Sequence, residues 1–174
     1  MNSIYVTENE YAPFYKNYIK ALGNVNLFEV LNRSLNDIVN TVKELPEEKL
    51  TYQYAKGKWT IKELVQHIID TERVLSYRAM RFSRNDATNL QGFDENWYVD
   101  NSYGNNRSIT DLLDELSYLR KANISLFKSF TNEMFKMSGT ANGSEMTVRA
   151  IGFIIAGHQM HHLNIIKEKY LNNR

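Results

Sequence analysis

Apolar side chains recur at three- and four-residue intervals in four long blocks of this chain, the spacing of amphipathic helices. In the first, Leu27, Val30, Leu31, Leu35, Ile38, Val39 and Val42 predict a helix from Leu27 to about Leu45, with Pro46 ending it or starting one more turn. The second carries Ile61, Leu64, Val65, Ile68, Val74 and Leu75 and fades near Phe82. It opens on Thr60-Ile-Lys-Glu63, a capping box in which hydroxyl and carboxylate each satisfy a free N–H. The third starts at Ser108, a plausible N-cap, and runs to about Phe130. Ile109, Leu112, Leu116, Leu119, Phe127 and Phe130 mark its buried side, which Asn123 interrupts. Thr147 caps the fourth, Val148 to about Leu171.

A shorter helix is expected over Pro13–Leu22, stopped by Gly23. Its stripe of Phe14, Tyr15, Tyr18 and Leu22 reads as an arm packing on the main body. Residues 84–107 have no regular pattern apart from a possible turn at Asp94 to Val99. So long an irregular segment is a functional loop, a lid or interface element, or a wrapping connection anchored by Phe93, Trp97 and Tyr98. The linker "SGTANGSEM" precedes the last helix, and no strand-like alternation is evident. The expected fold is all-α: a four-helix bundle with a long crossing loop and a short N-terminal helix. It forms one domain over 1–174, with 1–25 as the arm.

Composition narrows the chemistry. The 174 residues are 43% hydrophobic, enough for a sizeable core and unlike a disordered chain. A net charge of +1 gives no field to draw nucleic acid or an anionic membrane. The N-terminus lacks the pattern of a signal peptide. The longest apolar run, Ala150 to Gly157, is far short of the roughly 20 residues of a membrane span. A cytoplasmic protein is expected. There is no cysteine, so any metal must be held by nitrogen and oxygen, and no cysteine nucleophile exists.

The segment "GHQMHHLNII" holds three of the four histidines. At about 100° per residue, Ile151, Ile154, Ile155, His158, His162 and Ile165 share one face of the fourth helix. His158 and His162 therefore point the same way from successive turns, as in helical zinc sites. Two readings are open for this pair: a metal clamp, or core imidazoles bonded to backbone, water or each other. His67, on the flank of the second helix's apolar face, shifts the balance toward metal. Three imidazoles without a fourth strong ligand leave an open position, which suits catalysis or substrate binding. His161 lies at the border of the stripe and is not expected to ligate.

The segments "YAKGKWTIKELVQHIIDTERVLSYRAMRF", "GFDENWYV", "RSITDLLDEL" and "GTANGSEMTVRAIGFIIAGHQMHHLNIIKEKYL" resemble the DinB-like (DinB/YfiT) superfamily of metal-binding four-helix bundles. The resemblance spans about Tyr54 to Leu171. Its most specific feature is one histidine in the second long helix with H-x-x-x-H in the fourth. It implies His67, His158 and His162 as ligands of one divalent ion per chain, zinc or nickel. "LQGFDEN" carries Gln91 where the family's loop has proline. The resemblance also implies an enzyme that transfers a low-molecular-weight thiol to a small electrophile. The alternatives are a hydrolase using metal-bound hydroxide, or a non-catalytic metal-binding bundle. A missing cysteine agrees with sulfur arriving on a cosubstrate. The resemblance and the exposed aromatic segments point to a homodimer.

Other candidates are less specific. Asp70, Glu63, Asp94 and Glu95 are possible general bases, though solvated carboxylates or salt-bridge partners are the simpler expectation. Glu72 is expected to pair with a buried arginine, Arg78 or Arg120. Arg78 shares His67's side of the helix and could hold a substrate carboxylate, but a surface position is the simpler expectation. Trp59, Phe93, Trp97 and Tyr98 could line a pocket.

Overall fold

The computed structural model describes residues 1–2 and 6–172; residues 3–5 of the N-terminal arm and 173–174 lie outside the described residues. Helix α1 spans Lys16–Ala21, preceded by a 3-10 turn at Pro13–Tyr15. The bundle is formed by α2 (Leu27–Val42), α4 (Ile61–Ser83), α6 (Ile109–Lys128) and α8 (Val148–Ile165). Short helices α3 (Glu47–Leu50), α5 (Glu95–Ser102) and α7 (Asn132–Lys136) lie in the connections. The expected caps hold: Thr60 and Glu63 close a capping box, and Ser108 and Thr147 accept from Asp111 N–H and Ala150 N–H. The turn expected at Asp94 is a full helix, because the Asp94 carboxylate accepts from the N–H groups of Asn96 and Trp97. After Ile165 the last helix widens into a π-helical turn, Ile166–Leu171.

One expectation is corrected. The linker holds an antiparallel hairpin, β1 (Ser138–Ala141) with β2 (Ser144–Thr147). Four-residue strands are too short to show alternation. The legible signal was the dipeptide Asn142-Gly143, which turns the chain with both residues at positive φ, as a tight hairpin requires.

The buried apolar residues fall into two clusters. One contains Leu27 and Leu31 of α2, Leu75 and Phe82 of α4, Ile124 and Phe127 of α6, and Ile151 and Ile154 of α8. The other contains Leu35 and Ile38, Leu64 and Ile68, Leu112 and Leu116, and Leu163 of the same helices. The N-terminal halves of α2 and α8 thus lie at the same end as the C-terminal halves of α4 and α6. Helices α4 and α6 run parallel, both antiparallel to α2 and α8. Parallel neighbours need a crossover, which explains the length of the segment between Ser83 and Ile109. It leaves one end of the bundle, clamps the hairpin (Leu90 N–H to Thr140 O, 2.9 Å), and returns along α4 through α5 to the other end.

Between the clusters lies a layer of buried polar side chains supplied by all four helices. Its hub is Arg120, fully buried on α6. Its guanidinium pairs bidentately with Glu72 of α4 at 2.8 Å for each bond. It also donates to Leu31 O (2.6 Å) and Ser34 Oγ (2.9 Å) of α2, and to Gln159 Oε1 of α8. All five guanidinium N–H groups are used. Asn123 donates to Glu72 Oε1 (3.0 Å), and Gln159 returns a bond to Ser34 O. Arg120, not Arg78, is the partner of Glu72.

The N-terminal segment is fastened to α8. Glu10 receives both Arg149 Nε and Nη2, at 2.5 and 2.6 Å, and the Thr147 hydroxyl at 2.8 Å. Helix α1 crosses α8 so closely that a Cβ at Gly157 would lie 2.4 Å from the Tyr18 carbonyl oxygen. None of the helices among the described residues is long and apolar enough to cross a membrane.

Removing Arg120 would strand the Glu72 carboxylate in the core. Arg120→Ala should destabilise the fold by about 3–5 kcal/mol, and the apolar pair Arg120→Met/Glu72→Leu should recover part of that loss. Denaturant unfolding of the three proteins measures both effects.

Candidate metal centre

Helices α4 and α8 pack against each other more extensively than any other pair of elements among the described residues. His67, on an inward turn of α4, meets His158 and His162 from successive turns of α8, and all three are buried. His67 Nε2 is 2.9 Å from His158 Nε2, and His162 Nε2 is 3.0 Å from the same atom. The sequence placed His67 on a flank; packing against α8 turns that flank inward. The ring of Trp59 lies 4.8 Å from that of His67, centroid to centroid. Tyr170, on the π-helical turn, donates its hydroxyl to the Trp59 carbonyl and so holds the loop that carries this wall.

Burial lowers the proton affinity of all three imidazoles, and the neighbouring rings lower those of His158 and His162 further. His67 is brought down to about 4. At neutral pH the cluster is therefore three uncharged rings. A neutral ring has one N–H and one lone pair. The single Nε2 of His158 faces two others, so it cannot make a full hydrogen bond to each. The buried Nδ1 of His162 has no hydrogen-bond partner among the described residues. A cation among three Nε2 lone pairs would remove this conflict, so the donor set fits a divalent ion bound by nitrogen.

The cluster opens into a cavity of about 190 Å³ whose walls include Tyr15 and Tyr18 of the N-terminal segment, Thr71, Arg78, Phe93 and Glu95. Thr71 Oγ1 is buried without a hydrogen-bond partner among the described residues. The aromatic stripe of Phe14, Tyr15 and Tyr18, expected to pack as an arm, also lines this cavity. Tyr18 stands 5.8 Å from the ring of His158 and 5.1 Å from that of His161, centroid to centroid. The signal was the stripe itself, but nothing in the sequence tells which helix α1 crosses. His161 is exposed and lies at the cavity rim.

The remaining candidates separate cleanly. Arg78, expected at the surface, is buried and lines the cavity. Of the four carboxylates considered, only Glu95 reaches this cavity. Glu63 serves the capping box and accepts from Asn105 Nδ2 (2.8 Å), and Asp94 caps α5. Asp70 accepts from Gln66 (3.0 Å) and faces a separate groove with Trp97 and Tyr98. Trp59 and Phe93 line the histidine cavity; Trp97 and Tyr98 do not.

A bundle with parallel second and third long helices, carrying three convergent histidines between antiparallel neighbours, is the class of protein these features define. The DinB superfamily model matches residues 31–166, and the chain belongs to that superfamily. It is 28% identical over 141 residues to "Putative metal-dependent hydrolase OB0413" of Oceanobacillus iheyensis, covering 79% of this chain and 80% of the relative. Its fold matches that of YfiT from Bacillus subtilis, described as a probable metal-dependent hydrolase with an unusual four-helix bundle topology. The TM-score is 0.75 at 19% identity, over 82% of each chain.

The lowered proton affinities set a pH dependence. In the unfolded chain the three histidines titrate near 6.5, whereas the fold holds them neutral well below that. Between 6.5 and about 4 the unfolded chain binds more protons, so stability of the metal-free protein rises with pH across this window and is lost on acidification. Urea unfolding of chelator-stripped protein should give a smaller free energy at pH 5 than at pH 7. His67→Gln should shrink that difference; equal values for wild type at both pH values would contradict it.

Proposed function

We propose that this chain is a metal-dependent hydrolase of small molecules, with one divalent ion, zinc or nickel, held by His67, His158 and His162. The observation that carries this reading is the convergence of three neutral Nε2 atoms at 2.9–3.0 Å on the wall of a cavity. The names of the Oceanobacillus and Bacillus proteins support hydrolysis and move it ahead of thiol transfer, which the sequence alone put first. When bound, such an ion supplies Lewis acidity and makes a coordinated water or thiol acidic near neutral pH. The chain's own residues do the rest. Trp59 packs against the ring of His67 and Tyr18 against that of His158, which covers part of the cluster with apolar surface. Glu95 is the carboxylate on the cavity wall able to take a proton from the attacking group.

Thiol transfer is retained as a second reading on one specific observation. Another cavity, about 230 Å³ and lined by Tyr54, Lys58 and Tyr170, shares Trp59 and His162 with the first. Two chambers meeting at one histidine suit a reaction with two substrates. The absence of cysteine means that any nucleophilic sulfur comes from outside. Association of two chains is part of the same proposal, supported by the exposed rings of Trp97, Tyr103 and Tyr118.

Elemental analysis of untagged, zinc-loaded protein should find about one ion per chain, as in sites with three protein ligands. His67→Ala, His158→Ala and His162→Ala should each lose most of it, and His161→Ala should keep it. Equal loss in all four would reject the assignment. A panel of small esters, amides and electrophiles, with and without added thiols, then separates the readings. Turnover in water alone supports hydrolysis. Consumption of electrophile only with a thiol, together with a sulfur-to-metal charge-transfer band in the cobalt-loaded protein, supports transfer and overturns hydrolysis.

A further inference from the structure

Helix α4 presents one continuous stripe to the cavity: His67, Thr71, Leu75 and Arg78, at spacings of four, four and three residues. At one end is the histidine cluster. In the middle is the Thr71 hydroxyl, buried and without a hydrogen-bond partner among the described residues. At the other end is Arg78, whose buried guanidinium donates to the Gln91 carbonyl (3.0 Å) and contacts the Tyr15 hydroxyl. No carboxylate lies within ion-pair distance of Arg78 among the described residues. Arg120, the other deeply buried arginine, is by contrast fully matched by Glu72. A buried guanidinium without an anion is costly, and in a cavity wall it marks a place where one is supplied from outside.

We propose that the cavity binds a small molecule bearing a carboxylate, with the carboxylate on Arg78, the Thr71 hydroxyl bonding to a polar group along its length, and its reactive group at the histidines. The last element rests on the metal-dependent reading above; the carboxylate site does not. Helical rise separates the Cα atoms of His67 and Arg78 by about 16 Å. The arginine stem leans back toward the helix N-terminus, which leaves a gap on the order of 10 Å, the length of a chain of several bonds. The narrow volume of about 190 Å³ admits such a chain and little more. A carboxylate is favoured over a phosphate because, among the described residues, Arg78 is the only permanently cationic side chain lining the cavity and Glu95 lines it too. A single guanidinium matches a single negative charge, and the Glu95 carboxylate elsewhere on the wall would repel a second one.

The test uses hexanoate, hexanamide and butylphosphonate as probes, titrated by ligand-observed NMR into the full chain, first metal-free and then zinc-loaded. In metal-free protein, hexanoate should bind at least tenfold more tightly than hexanamide. Arg78→Gln should remove that preference, Arg78→Lys should retain part of it, and Thr71→Val should leave it intact. Equal binding of hexanoate and hexanamide by wild type would overturn the proposal without recourse to any variant. So would an undiminished preference in folded Arg78→Gln, or tighter binding of butylphosphonate than of hexanoate. Because the decisive comparison is made without metal, a protein that failed to bind zinc but kept the preference would reject the metal reading alone.

Discussion

The pairing of Arg120 with Glu72 across the middle of the bundle is the constraint on which the rest of the structure depends. A guanidinium with no access to water must satisfy five N–H groups and its charge from within the protein. Here it does so by drawing on α2, α4 and α8 at once. Each bond tolerates only a few tenths of an ångström, whereas apolar side chains tolerate sliding. The two hydrophobic clusters supply most of the driving force, but neither specifies how far one helix is shifted along another. The polar layer between them does. It is a registry device of the kind buried polar groups provide in coiled coils.

That registry bears directly on the histidines. Gln159, which ties α8 to Arg120 and Ser34, is next in sequence to His158; Glu72 is next to Thr71. The same turns of α4 and α8 therefore show one face to the polar layer and another to the cavity. A slip of α8 by one residue would move His158 and His162 by about 1.5 Å and rotate them by about 100°. Either shift is enough to break contacts of 2.9–3.0 Å with each other and with His67. Helix α1 adds a second restraint from outside. Gly157, one residue before His158, allows backbone to touch backbone and brings Tyr18 over the cluster.

Much of this was legible in the amino-acid order, and the parts that were not share a cause. Local signals carried the helix starts: Thr60 with Glu63, Ser108 and Thr147 cap as their chemistry requires. Helical spacing put His158 and His162 on one face, because a pair at i and i+4 depends on a single helix. His67 could be placed only on a flank, since its direction depends on which neighbour α4 meets. Arg78 looked like a surface residue for the same reason. What buries it is the crossover segment, through Gln91 and Phe93, and the N-terminal segment, through Tyr15. The parallel course of α4 and α6 left only an indirect trace, a connection too long for an antiparallel turn. The hairpin was announced by Asn142-Gly143, a two-residue signal weaker than any helix repeat.

The distribution of carboxylates gives the centre its electrostatic character. Glu72 is committed to Arg120, Glu63 and Asp94 cap helix starts, and Asp70 faces another groove. Each commitment removes a negative charge that could otherwise have turned toward the histidines. Around the three neutral imidazoles stand aromatic walls, and Glu95 and Arg78 line the same cavity without forming an ion pair. A dication placed among such ligands keeps its full charge, because nothing in contact with it is anionic. In a buried setting that charge is weakly screened. The neutral ligand set therefore favours a partner that arrives with a negative charge or acquires one by losing a proton.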